Sequence, residues 1–140
     1  MTTFKEDILE RLHQLKAEKK LTSKRKTFSK IYIGSVSEEN GTEISKLSEF
    51  QIAFIDLFTE KNIQLGEQFS ERLENEVKRI VEPEDLLNIN LDEDVGFYSL
   101  TVPEEGGNDE WSVELATSFD ETIFHAYFTG WNFFNLGSAH

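Results

Sequence analysis

Three histidines, at positions 13, 125 and 140, and 27 Asp and Glu carboxylates are the side chains of this 140-residue chain that could move protons or hold a cation; there is no cysteine. That absence excludes disulfides, thiolate metal sites and thiol nucleophiles, and it points to a reducing compartment. The sequence contains neither G-x-S-x-G nor H-E-x-x-H, so no nucleophile is marked with its base and no zinc pair with its spacing. Paired carboxylates could do acid–base work, but 27 acids make chance pairings abundant. The reading is non-catalytic, with no catalytic residue, cofactor or metal ligand assigned.

The remaining candidates are a loop, a basic run and an aromatic stretch. The acidic segment Asn90 to Gly96 invites comparison with a calcium loop, yet a loop begun at Asn90 finds Val95 where glycine is required and Thr101 where the bidentate glutamate belongs. A solvated acidic loop is expected instead. Lys16, Lys19, Lys20, Lys24, Arg25, Lys26 and Lys30 form a basic run that could track a phosphate backbone. Phe28 is the only aromatic within it, so no stacking platform for bases is visible, and no nucleic-acid partner is expected. Phe124, Tyr127, Phe128, Trp131, Phe133 and Phe134 place six rings in eleven residues. Strand alternation puts Phe124 and Phe128 on one face and His125 with Tyr127 on the other, and Gly130 would allow a bulge before Trp131. His125, mid-strand, is expected to be a hydrogen-bonded structural residue.

Charge is distributed very unevenly around these rings. None of the 14 Lys and Arg residues lies beyond Arg79, whereas 13 acids lie between Glu82 and Glu121, so the last 61 residues carry the whole net charge of −13. Aromatics set among acids resemble the anchors and rim of a binding patch, because rings fill pockets while charge steers the encounter. The candidate partner-binding residues are therefore Glu104, Glu105, Asp109 and Glu110 together with His125, Tyr127 and Trp131.

Those residues must be positioned by a domain of ordinary size. One hundred and forty residues with 38% hydrophobic content can bury a core without staples. The amino terminus lacks a basic region followed by an apolar stretch, and no apolar run reaches the roughly 18 residues of a membrane span. A cytoplasmic chain with no membrane partner is expected, its oligomeric state left open, and Asn40-Gly41-Thr42 reads as a turn and not as a glycosylation site.

Thr3 and Glu6 form a capping box ahead of Phe4, Ile8, Leu12 and Leu15 at helical spacing, which predicts a helix to about Lys20. The basic run leads into a β-prone segment from Phe28 to Val36 that ends in a turn over Ser37 to Thr42. Ser48 and Gln51 form a second capping box, with Leu47 placed to staple onto Ile52, ahead of a helix apolar almost all round its wheel. Asn62 to Gly66 should break that helix, with a one-sided helix resuming at Phe69 and stopping near Val81 before Pro83. Period-two segments at Val95 to Val102, Glu110 to Thr117 and Thr122 to Thr129 predict three strands joined by short turns. Together these predict a single α+β domain over 1–140, with a helix and basic segment at 1–30, a helical pair at 46–82 and an acidic β-meander at 94–136. The sheet is expected to be four-stranded and mainly antiparallel, in the order αβααβββ.

The segment Asp109-Glu-Trp111-Ser-Val-Glu-Leu, followed by Ile123-Phe-His-Ala-Tyr-Phe-Thr-Gly-Trp131, resembles small bacterial domains of unknown function, some of which are similar to toxin-immunity proteins. The resemblance spans the carboxy-terminal half and lies in the pattern of a Trp-bearing strand followed by one ending in Gly-Trp. It implies a compact acidic inhibitor that blocks a basic protein by binding it, and it transfers no functional residue. The alternative expectation is a small-ligand-binding domain with modest enzymatic activity, which a closed apolar pocket lined by a few polar groups would support.

Overall fold

The computed structural model of the protein describes residues 3–17, 35–37, 48–119 and 121–139. Within them lie four helices and a five-stranded open sheet: α1 (Phe4–Ala17), β1 (Ser35–Ser37), α2 (Glu49–Ile80), α3 (Pro83–Leu86), α4 (Leu91–Asp94), β2 (Val95–Thr101), β3 (Glu110–Thr117), β4 (Ile123–Thr129) and β5 (Asn132–Ala139). The strands stand in sequence order, β1 to β5. β1 and β2 are parallel neighbours joined through α2, while β2 to β5 form an antiparallel meander. The α+β class is as expected, but the sheet has five described strands, not four, and the helical order differs.

The fifth strand escaped detection because its pattern is broken. A one-residue irregularity between Tyr127 and Phe128 leaves Phe134 as an extra residue on β5. Such a bulge interrupts the two-residue period, and Gly137, Ser138 and Ala139 have little strand preference of their own. Gly130 does not make the bulge. It occupies, at φ 59°, the first position of a two-residue turn between Thr129 and Asn132, a place where glycine is favoured because its φ is positive.

The expected break in the helical pair is also absent: α2 runs unbroken for 32 residues. Gly66 and Asn62 lower helix propensity there, but burial of Leu65 and Phe69 on either side outweighs a cost of about 1 kcal/mol. The start of α2 is as the sequence suggests, with Gln51 N–H donating to the Ser48 hydroxyl at 3.2 Å and Ser48 N–H donating to the Gln51 side chain at 2.9 Å. Its end at Ile80 precedes Pro83, which opens α3. The capping hydroxyl of Thr3 accepts from Glu6 N–H, and α1 is described as far as Ala17, so its expected end near Lys20 lies outside the described residues. The basic run beyond Ala17, most of the Phe28 to Val36 segment, the turn after Ser37, Leu47 and His140 lie outside the described residues.

The first half of α2 is buried all round, from Phe50 through Phe58 with only Ile52 partly open. One flank meets α1, where Arg11 reaches across to Asp56 at 2.8 Å and also bonds Glu60. The hydrogen bond to Glu60 raises the Arg11 pKa against the opposing effect of burial, so the cation is held firmly. The other flank meets the sheet through rings. Trp111 lies edge-on to Phe54 and Phe58 and stacks on Phe128 at 4.3 Å. Phe97 abuts Phe58 and Phe69. The sheet residues in this packing alternate onto one side of the sheet, the buried side of β3 and β4.

Candidate functional site: the outer face of the sheet

β3 and β4 alternate cleanly. Trp111, Val113 and Leu115 on β3, and Phe124, Ala126 and Phe128 on β4, are buried against α2. Ser112, Glu114 and Ala116 on β3, and Ile123, His125 and Tyr127 on β4, therefore share the outer face. Register brings Ser112, Tyr127 and Asn135 into one row and Glu114, His125 and Gly137 into the next.

The rings of this face form a stripe. His125 and Tyr127 stack at 6.2 Å, and Tyr127 meets Phe134 at 6.3 Å. Phe134 is 56% exposed and Tyr127 36%. The bulge puts Phe134 here, since the two residues opposite one partner lie on that partner's side. Gly137 lies beside the phenol: a Cβ at that position would be 3.7 Å from Tyr127 Cε2, an ordinary contact. His125 Nδ1 lies 3.9 Å from Glu114 Oε1, too far for a hydrogen bond and close enough for attraction when the imidazole is protonated.

The acidic candidates gather at one end of the sheet. Glu104 and Glu105 are exposed on the turn after β2, and Glu110 is exposed at the first position of β3. Asp109 adopts φ 64°, and its carbonyl accepts from Gly130 N–H at 2.9 Å. The Trp111 indole donates to the Gly130 carbonyl at 2.6 Å. The acidic turn and the β4–β5 turn are thereby tied together at one corner.

Trp131 belongs to the other side of that corner. It stacks on Phe54 at 5.6 Å, meets Phe4 edge-on at 4.9 Å and carries Lys61 Nζ 5.3 Å from its ring centre. Its carbonyl accepts from the Gln68 side chain at 2.8 Å. The structure thus gathers His125 and Tyr127, sets the four acids at the adjoining end, and turns Trp131 into the helix-side packing. Phe134 and Glu114 complete the face and were not singled out as site residues. The sequence signal for Phe134 was present in the aromatic stretch, but its face depended on the bulge.

Two clefts among the described residues lie elsewhere. One of about 450 Å³ runs between α2 and β2, lined by Gly66, Phe69, Leu73, Leu91, Phe97 and Leu115 among others. The second, of about 440 Å³, lies where Ile80, Glu82, Asp85, Asp94 and Phe119 meet. In the Asn90 to Gly96 segment, Asn90 caps Asp92 N–H, while the Asp94 carboxylate is engaged locally, accepting from Asn90 N–H at 2.8 Å and from the Ser118 hydroxyl at 3.0 Å. Among the described residues, no three His, Asp or Glu side chains converge as a metal site would require, and no helix is long and apolar enough to cross a membrane.

No family model, curated protein or solved structure matches this chain.

Proposed function

We propose that this chain is a non-catalytic binding protein that docks a basic protein partner, with an immunity or inhibitor role as the most concrete form. The observation that carries the reading is the stripe of His125, Tyr127 and Phe134, with its exposed rings, on the outer sheet face in a half of the chain that contains no Lys or Arg. Rings anchor an interface by desolvation and by attraction of cations to their faces. The acids at Glu104, Glu105, Asp109 and Glu110 add a field that raises encounter rates by about 10 to 1,000-fold when the partner is positive. An inhibitor that must intercept a harmful protein benefits from both.

The test is recovery of a partner from the native cytoplasm with the parent chain, compared with Tyr127→Ser and Phe134→Ser. Support requires that the partner be basic, that binding be lost in both variants while their melting is little changed, and that the on-rate fall as salt rises. If no basic protein is recovered and a small molecule stabilises the fold saturably, the binding-protein reading falls. The cleft between α2 and β2 would then be the place to look for a ligand.

A further inference from the structure

Among the described residues β5 is the outermost strand of the sheet, with β4 on one side and no strand on the other. Outer strands of stable proteins are blunted by charged side chains, by proline or by a covering element. The eight residues of β5 include no charge and no proline. Instead the side-chain amide of Gln68, on α2, pairs with its first free position: Nε2 donates to the Trp131 carbonyl at 2.8 Å, and Phe133 N–H donates to Oε1 at 2.9 Å. A glutamine amide here takes the place of the backbone of a neighbouring strand.

That contact also sets the direction of the groups further along. Because Phe133 turns its N–H outward, its partner Phe128 faces β3 and Tyr127 faces β5. Alternation beyond the bulge then leaves Leu136 and Ser138, paired in register with Ala126 and Phe124, with outward-facing backbone groups. The open stretch begins where the cover by Gln68 ends. It adjoins Phe134, which is 56% exposed, and through it Tyr127.

We infer that this edge of β5 receives an extended, basic segment of a protein partner as an added strand; the inference rests on the reading of the acidic half as a docking surface. Alternate side chains of that strand would lie on the outer side, beside Phe134 and Tyr127, where a lysine or arginine meets ring faces and the acids of the sheet end. On the other side, Arg72 is one helical turn on from Gln68 along the same flank of α2, so the alternate positions of the added strand that face the helix would be uncharged. A second copy of this chain is a poor occupant. Pairing two β5 strands about a two-fold axis would bring the Asp109–Glu110 end of one copy toward the Glu121 end of the other, in chains that each carry a net −13.

The probe is an end-blocked octapeptide alternating lysine and threonine, with a glutamate–threonine peptide as control. Amide hydrogen exchange and nitrogen-15 NMR on the unmodified chain should show slowed exchange at Leu136 and Ser138 with the lysine peptide alone. Ser138→Pro removes the outward N–H at a position where an edge strand tolerates proline. It should weaken the peptide about tenfold, the loss expected from one or two backbone hydrogen bonds, while Tyr127 and Trp111 resonances stay in place. Exchange on the unmodified chain does not depend on the variant folding. If the peptide shifts His125 and Tyr127 but leaves Leu136 and Ser138 exchange unchanged, strand addition is refuted and the docking face survives. If neither region responds, both fail. A concentration-dependent dimer abolished by Ser138→Pro would overturn the inference in favour of a second copy.

Discussion

At the scale of single residues, Trp111 and Tyr127 show how one strand pair separates stability from binding. Trp111 is buried, contacts Phe54, Phe58 and Phe128, and gives its only side-chain donor to the Gly130 carbonyl. Trp111→Ala should therefore cost about 3–5 kcal/mol in denaturant unfolding, a large share of the roughly 5–15 kcal/mol that holds a domain together. A variant that unfolds at the parent's midpoint would contradict this placement. Tyr127 and Phe134 lie on the opposite face, so serine at either position should cost about 1 kcal/mol or less, the range of a cross-strand pair. Gly130 is a residue of a third kind, needed for its backbone. Its Cβ would meet Phe4 at an ordinary 3.6 Å, but φ is 59°. Gly130→Ala should destabilise by about 1–2 kcal/mol, the left-handed penalty, a loss that calorimetry can resolve.

Whole elements are decided by the balance between local preference and burial. α2 crosses a glycine and an asparagine because Leu65, Phe69, Leu73 and Val77 continue its buried stripe. A Cβ at Gly66 would meet nothing within 4 Å. Gly66→Ala should thus raise stability by about 0.5–1 kcal/mol through helix propensity and a less flexible unfolded chain. A lower melting temperature in that variant would mean that the glycine serves a close approach from outside the described residues. β5 shows the converse case, a strand with poor intrinsic preference held by pairing with β4 and by the Gln68 contact from α2.

Over the whole molecule the dominant quantity is charge. A net −13 with no cation after Arg79 means that the sheet half repels itself, and screening should relieve this. The melting temperature should rise as salt goes from about 0.01 M to about 0.1 M, over which the Debye length falls from roughly 30 to 10 Å. A flat salt profile would show that local pairs dominate instead. Amide substitutions at Glu104, Glu105, Asp109 and Glu110 should leave stability nearly unchanged, since exposed charges contribute little to folding. Asparagine at Asp109 is expected to keep the positive φ, which that residue tolerates well. Association with a basic partner should slow in these variants, and the difference from the parent should shrink at about 1 M salt, read from stopped-flow on-rates.

Much of this arrangement follows from sequence alone. The Ser48–Gln51 capping box, the stop before Pro83, the buried face of Trp111, Val113 and Leu115, and the shared face of His125 and Tyr127 each depend on a period or on a contact within four residues. Such signals are local, and the charge asymmetry is a matter of counting. The continuity of α2 through Gly66, the existence of β5, the outward turn of Phe134 and the inward turn of Trp131 could not be read in the same way. They depend on which surface lies opposite: the sheet that buries Leu65 and Phe69, the partner strand that fixes the bulge, and the pairing of Gln68 with a backbone 63 and 65 residues away. Energies of that kind are set by contacts distant in the chain, so only the tertiary structure could decide them.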